Sequence, residues 1–379
     1  MSSSDQPLTS IEICAGAGGQ AVGLHGAGFR HRALVEIDKH AAETLKLNVV
    51  ERKVWGEEEA AECEILAMDV KDFKPTVENL DLLAGGVPCP PFSVAGKQLG
   101  QDDERDLFPE MLRLVRELTP RAVMVENVAG LVKPFDKFFH YREEIKRELR
   151  DMGYVVCGWR LLEAADYGVP QLRPRAILVA IRKDYYRGFD WPEPTGELKT
   201  VAQALRDTME RRFAAAGRPE GFDKWLKRAT EAGTVAPTLV GGSKKHGGAD
   251  LGPTRAKKAW QALGVNGMGV ANDEREPNIA RDLGNKDLVS SLPEDKLLGP
   301  MLTVEQAAII QGFPTDWIFA GRKTAQYRQV GNAFPPPVAK AVGLAIKDAL
   351  QRTGDLLEPP VGDRELDGTT SASVRDTLI

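Results

Sequence analysis

Short apolar runs separated by amphipathic stretches organise the first half of the chain. The runs at 11–14, 33–37, 65–68, 80–84, 121–125 and 176–180 are too short for core helices and are bounded by turn residues. From Thr9 to about Arg182 they alternate with helical patterns, which predicts an α/β fold built on a doubly wound parallel sheet. The segment 106–118 reads as a helix stopped near Pro120, and 92–106, rich in Gly, Gln and charge, reads as a loop. After Trp191-Pro192-Glu193-Pro194 the alternation is lost, and Gly/Pro punctuation up to about 300 predicts a smaller, irregular second domain. At 302–314 a helix returns, with Thr303 and Gln306 spaced as a capping box. A further helix from the Pro335-Pro336-Pro337 run to about Leu350 predicts that the chain rejoins its first domain. The expected divisions are 1–188 and 322–354 for a discontinuous first domain, 189–321 for the second, and a polar, disordered tail at 355–379.

Composition narrows the class. A length of 379 residues with 42% hydrophobic content is enough for two domains with a sizeable core. No run approaches a membrane span, and the short polar start is no secretory signal, so a cytoplasmic protein is expected. Cysteines at 14, 63, 89 and 157 have neither metal-ligand spacing nor the density of a disulfide scaffold, so no metal is expected. A net charge of −5 weighs mildly against nucleic acid as a partner, although only one cleft need be basic.

The chemistry concentrates at the ends of the predicted strands. Gly85-Gly86-Val87-Pro88-Cys89-Pro90-Pro91-Phe92-Ser93 sets one cysteine among prolines just past an apolar strand, where ligands of open α/β sheets bind. Such a thiol is a nucleophile in position or an inert small hydrophobe. Ala15-Gly16-Ala17-Gly18-Gly19 joins a strand to a helix as nucleotide-binding turns do, without the lysine of a P-loop. Glu36 and Asp38 follow at the end of the next strand, where a ribose diol is held, and Asp69 ends the third. All three acids also suit helix N-caps. Glu126-Asn127-Val128 places a carboxylate at the same sheet edge as Cys89, and Arg173 and Arg175 alternate ahead of another strand, suited to a phosphate or a base carbonyl.

These motifs, followed by Gln329-Val330-Gly331-Asn332-Ala333-Phe334-Pro335, appear in the order that the DNA (cytosine-5)-methyltransferases of bacterial restriction–modification systems carry them. The chain resembles that family from about 10 to 350. The resemblance implies a Rossmann-like S-adenosylmethionine-dependent catalytic domain, a target-recognition domain and base flipping of cytosine out of duplex DNA. It casts Cys89 as nucleophile at carbon 6, Glu126 as proton donor to N3, Arg175 as contact to O2 and Arg173 as its active-site neighbour. Burial is expected to keep Glu126 protonated. Cofactor contacts are implied at Cys14, Ala15, Gly16, Gly18, Gly19, Glu36, Ile37, Asp69, Pro88 and Asn332. DNA contacts are implied at Ser93 and Gln98, and at Lys244, Lys245 and Arg255 in the basic glycine-rich part of the second domain. Cys14 departs from the pattern, since the family usually has phenylalanine there to stack on adenine. The resemblance further implies a monomer that acts on double-stranded DNA, either beside a cognate endonuclease that works on the same site without a stable complex or as a stand-alone methylase. Two alternatives share the scaffold: a tRNA cytosine methyltransferase and an inactive DNA-binding regulator. The absence of cysteine between 182 and 300 disfavours the first, and intact Cys89, Glu126, Arg173 and Arg175 disfavour the second.

Overall fold

Seven strands form one sheet in the order β3-β2-β1-β4-β5-β7-β6. They are β1 (Leu8–Ile13), β2 (Phe29–Val35), β3 (Glu64–Leu66), β4 (Leu82–Gly86), β5 (Ala122–Val128), β6 (Tyr154–Glu163) and β7 (Pro174–Arg182). The computed structural model describes residues 7–88, 106–217, 219–241, 249–271 and 299–358. β1 runs parallel to β2 and β4, β2 to β3, and β4 to β5, as the alternation of elements predicts. The sheet is nevertheless mixed, because β7 pairs antiparallel with β5. β6 is absent from the apolar pattern because Cys157, Gly158 and Arg160 interrupt it at half-buried positions.

The chain divides into two compact units. Unit 1 comprises the described residues up to Leu162, then Pro174–Glu193 and those from Val338; unit 2 comprises Glu163–Arg173 and Pro194–Pro337. The sequence pattern puts the return at 322, whereas the compact division puts it at Val338. Unit 2 is more helical than its punctuation suggests, with helices Val201–Ala215, Pro219–Ala232 and Thr254–Ala262 inside the stretch expected to be irregular. The first opens with a complete Thr200/Gln203 capping box, and the predicted Thr303/Gln306 box is also complete, opening helix Val304–Gln311. Buried Arg212 joins these two helices by donating to the Met301 carbonyl (2.7 Å) and to Gln306 Oε1 (2.8 Å).

Within unit 1 the two faces of β1 differ. Ile11 and Ile13 belong to the apolar core with Val35, Leu83, Val125, Phe108 and Met111. Ser10 and Glu12 face the other way. Ser10 Oγ lies 3.0 Å from His31 Nδ1, and His31 Nε2 donates to the Ala21 carbonyl at 2.9 Å, which leaves Nδ1 to accept from the hydroxyl. Burial pushes the His31 imidazole down to about 4, so it is neutral.

Glu12 is only 1% exposed, and its Oε2 has no hydrogen-bond partner among the described residues. Burial lifts its carboxyl well above the ordinary 4.5, and the charges of Glu36 and Glu126 add to the effect. The folded state therefore keeps a proton that the unfolded chain releases above about 4.5, and stability falls as pH rises from there toward the folded value. Glu12→Gln removes that titration. Urea unfolding from pH 5 to 8 is expected to show the variant gaining on the parent with rising pH; parallel profiles would show that Glu12 folds ionised.

Candidate active site

The strand order reverses between β1 and β4, which makes the crevice at their carboxyl ends the binding position of such sheets. Three strand ends meet there. Gly86 ends β4 and is in register with Glu126 on β5. A β-carbon at Gly86 would sit 3.2 Å from Glu126 Oε2 and 3.7 Å from the Cys14 carbonyl oxygen. The antiparallel course of β7 brings its start to the same edge, with Arg175 opposite Val128. Arg175 Nε stands 2.7 Å from Glu126 Oε1 in a nearly buried ion pair. Arg175 Nη1 donates to its neighbouring Pro174 carbonyl, and Nη2 has no partner among the described residues. The environment of Glu126 is therefore not burial alone, because an adjacent guanidinium favours the carboxylate anion.

Asn127, to which sequence reasoning gives no task of its own, ties this edge together. Its Nδ2 donates to the Val87 carbonyl at 2.7 Å, and its Oδ1 accepts from Val128 N at 2.8 Å. It thereby fixes the chain two residues before Cys89. Cys89, Ser93 and Gln98 lie outside the described residues. The described chain resumes at Asp106, and Leu107 N donates back to the Pro88 carbonyl at 3.3 Å. Asp106 is buried and accepts from Phe108 N (3.0 Å) and from the Tyr141 hydroxyl (2.7 and 2.8 Å). Neither Asp106 nor Tyr141 has a sequence signal beyond its residue type. The three described cysteines, 14, 63 and 157, are each pushed up to about 12 by burial, so none is an activated nucleophile.

The first turn is shaped for close approach. Cys14, Gly16 and Gly18 have φ of 51°, 56° and 89°, and a β-carbon at Gly16 would meet nothing within 4 Å. Glu36 braces this turn, with Oε2 accepting from Gly16 N at 2.7 Å and Oε1 from Asp38 N at 2.6 Å. Burial raises its carboxyl, against the pull of those amides. The Ile37 amide also bonds this carboxylate, which leaves lone-pair capacity for a ribose hydroxyl. Ile37, 68% exposed immediately afterwards, offers apolar surface where an adenine would lie. These residues fit S-adenosylmethionine. Asp38 instead caps helix Lys39–Leu45, accepting from His40 N and Ala41 N, and Asp69 accepts from Lys71 N. Among the described residues no cluster of His, Cys, Asp and Glu is suited to a metal.

Arg173 corrects the expectation of two base-facing arginines. It is 2% exposed and precedes β7, so strand alternation does not govern it. Nη1 donates to the Leu239 carbonyl (2.7 Å) and Nη2 to the Gly331 carbonyl (2.8 Å), all within unit 2. Both ends of its fork are committed to main chain, which makes it a clamp. Gln171 works beside it, donating to Gln311 Oε1 and accepting from Leu239 N, each at 2.7 Å. Asn332 ends helix Lys323–Asn332 at an exposed position in the same unit. Arg255 is exposed in the first turn of helix Thr254–Ala262, whereas Lys257 pairs with Asp250 at 2.9 Å. Lys244 and Lys245 lie outside the described residues.

Comparison with known proteins agrees with this geometry. The family model for C-5 cytosine-specific DNA methylases matches residues 8–348. Type II methyltransferase M.NaeI of Lentzea aerocolonigenes is 51% identical over 92% of this chain and 77% of its own. Type II methyltransferase M.NgoMIV of Neisseria gonorrhoeae is 46% identical over 91% of this chain and 99% of its own. Among solved structures, the Entamoeba histolytica methyltransferase EhMeth superposes with a TM-score of 0.56 at 14% identity, over 92% of this chain and all of the other. A DNMT2 variant of Spodoptera frugiperda gives a TM-score of 0.54 at 17% identity, over 90% and 99% of the two chains. A strand-end carboxylate paired with an arginine beside a cofactor turn, in a chain so matched along its length, places this protein in the C-5 cytosine-specific DNA methylase family, as an S-adenosylmethionine-dependent DNA (cytosine-5) methyltransferase.

Proposed function

We propose that Cys89, Glu126 and Arg175 perform the transfer on a cytosine flipped from a short duplex site. The observation that carries this reading is the Glu126–Arg175 ion pair against Gly86, on the strand that leads directly to Cys89. The Cys89 thiolate adds to carbon 6, forming a carbon–sulfur bond and driving the electrons of the 5,6 double bond into the ring. The charge reaches N3 and O2. Glu126 gives its proton to N3, and Nη2 of Arg175 donates to O2. The proton that Glu126 passes to N3 comes from solvent as the base engages the guanidinium paired with it. S-adenosylmethionine, when bound, supplies the methyl group that carbon 5 accepts. Water then takes the proton from carbon 5, the electron pair left behind expels the Cys89 thiolate, and N3 returns its proton to Glu126, which restores the aromatic ring.

Cys14, Ala15, Gly16, Gly18 and Gly19 would hold the cofactor through main chain, Glu36 its ribose, Ile37 and Asp69 its adenine, and Pro88 and Asn332 the remainder. With cysteine at 14, the apolar contact to adenine falls to Ile37. Arg173 acts by position, holding main chain beside Asn332. Target recognition belongs to the second domain, here assigned to 189–321, with Lys244 and Lys245 on phosphates and Arg255 on a guanine edge; Ser93 and Gln98 complete the DNA contacts. The enzyme works as a cytoplasmic monomer that protects a palindromic site from a cognate endonuclease, since both strands need marking by one protein.

Three outcomes are expected. A duplex carrying 5-fluorocytosine at the target traps a denaturant-stable adduct, because fluorine cannot leave as a proton, and Cys89→Ala abolishes both trap and turnover. Undiminished methylation by that variant removes Cys89 from the mechanism. Glu126→Gln keeps a hydrogen-bond donor but no acid, and turnover falls by about 10²–10⁴ with cofactor affinity little changed. A loss confined to cofactor affinity would make Glu126 a cofactor residue. Arg255→Ala costs about 1–3 kcal/mol at one base position across a panel of single-base site variants; equal weakening of every variant makes it a backbone anchor.

A further inference from the structure

The chain that leaves β5 just past Glu126 carries an exposed aromatic and cationic surface that the reaction does not use. Phe135 is 42% and Phe139 37% exposed, and their rings lie 5.6 Å apart. Lys133 and Lys137 are exposed on either side of Phe135, and Lys133 makes no ion pair among the described residues. The surface is built rather than loose. Fully buried Arg142 donates through Nη1 to the Leu131 carbonyl at 2.8 Å and through Nη2 to the Phe135 carbonyl at 2.9 Å. Its guanidinium carbon also sits 4.7 Å from the centre of the Phe135 ring, backing that ring from within. Burying an arginine to hold one turn, while leaving two phenylalanines in water, needs a reason outside the free protein.

We propose that Phe135 and Phe139, flanked by Lys133 and Lys137, form a docking platform for a strand of the DNA substrate on the chain that follows the strand of Glu126. Charge complementarity selects this occupant: two lysine ammonium groups suit successive phosphates, and an arginine-backed ring suits the face of a base or sugar exposed when the duplex is opened. The surface follows the catalytic strand directly, with Val128, the last residue of β5, also exposed. It lies wholly in unit 1 and is distinct from the recognition residues proposed in the second domain.

Equilibrium binding of the full chain to a plasmid-derived duplex that it methylates, at several salt concentrations, tests the platform. Lys133→Ala with Lys137→Ala is expected to flatten the salt dependence by about one unit of slope for each phosphate no longer neutralised. Phe135→Ala with Phe139→Ala is expected to weaken binding about ten-fold with the slope unchanged, and Phe135→Trp to retain parental affinity. Unchanged thermal midpoint and S-adenosylhomocysteine affinity verify that the variants are folded. Unaltered DNA affinity and slope in both double variants overturn the proposal. So does a parental dimer in sedimentation that the phenylalanine variant dissociates without loss of DNA affinity, which would assign the surface to a second copy of the chain.

Discussion

The active edge depends on the close approach of β1, β4 and β5 where side chains are missing. A β-carbon at Gly85 would come within 2.7 Å of Ile13 Cγ1 and 2.9 Å of its carbonyl oxygen, too close for any real side chain. One residue on, the space beside Gly86 is taken by the Glu126 carboxylate and the Cys14 carbonyl. A glycine pair ahead of a nucleophile invites reading as a flexible lead-in. Here it is a packing requirement, because it lets the turn after β1, the end of β4 and Glu126 stand within one side chain's reach. Asn127 then converts that proximity into order, bonding across from β5 to the chain that leaves β4.

The two arginines of Gln171-Leu172-Arg173-Pro174-Arg175 show how chemistry and architecture are divided between near neighbours. Arg175 lies on β7 and its guanidinium meets a carboxylate; Arg173 lies before the strand and its guanidinium donates to two main-chain carbonyls. A guanidinium bonded to main-chain oxygens remains a full positive charge in a dry place, and its hydrogen bonds offset the desolvation only while both carbonyls stay where they are. Backbone contact enforces this at the same point. A β-carbon at Gly331 would lie 2.5 Å from Gly241 Cα, so the two chains that Arg173 clamps touch through glycine. The segments before Lys244 and before Asn332 are thus held by one side chain.

Much of the site is legible in the sequence because catalysis needs particular residue types at strand ends, and strand ends can be read from apolar runs. The turn after β1, Glu36, Glu126 and Arg175 all stand where that logic puts them. Arg173 does not, since alternation applies only inside a strand and its strand begins at Pro174. β6 escapes the apolar pattern because an edge strand can tolerate Gly158 and Arg160, and the helices after Pro194 escape it because glycine and proline at their ends outweigh the capping signal of Thr200 and Gln203. Asn127, Asp106 and Tyr141 carry no task in the sequence because their value lies in which distant atom each one reaches. Sequence spacing does not encode that.

Charge explains how an acidic protein handles both of its ligands. Burial is the main cause that suppresses the Cys14 thiolate, and the field of the neighbouring Glu36 and Asp69 carboxylates adds to it. The same field favours a sulfonium cation over the neutral thioether left after transfer, so it helps to hold the donor and not the spent product. It also repels a polyanion. Arg175 carries positive charge into contact with the Glu126 carboxylate. In a chain of net charge −5, the Glu126–Arg175 pair is where a positive charge meets the carboxylates gathered at the ends of neighbouring strands.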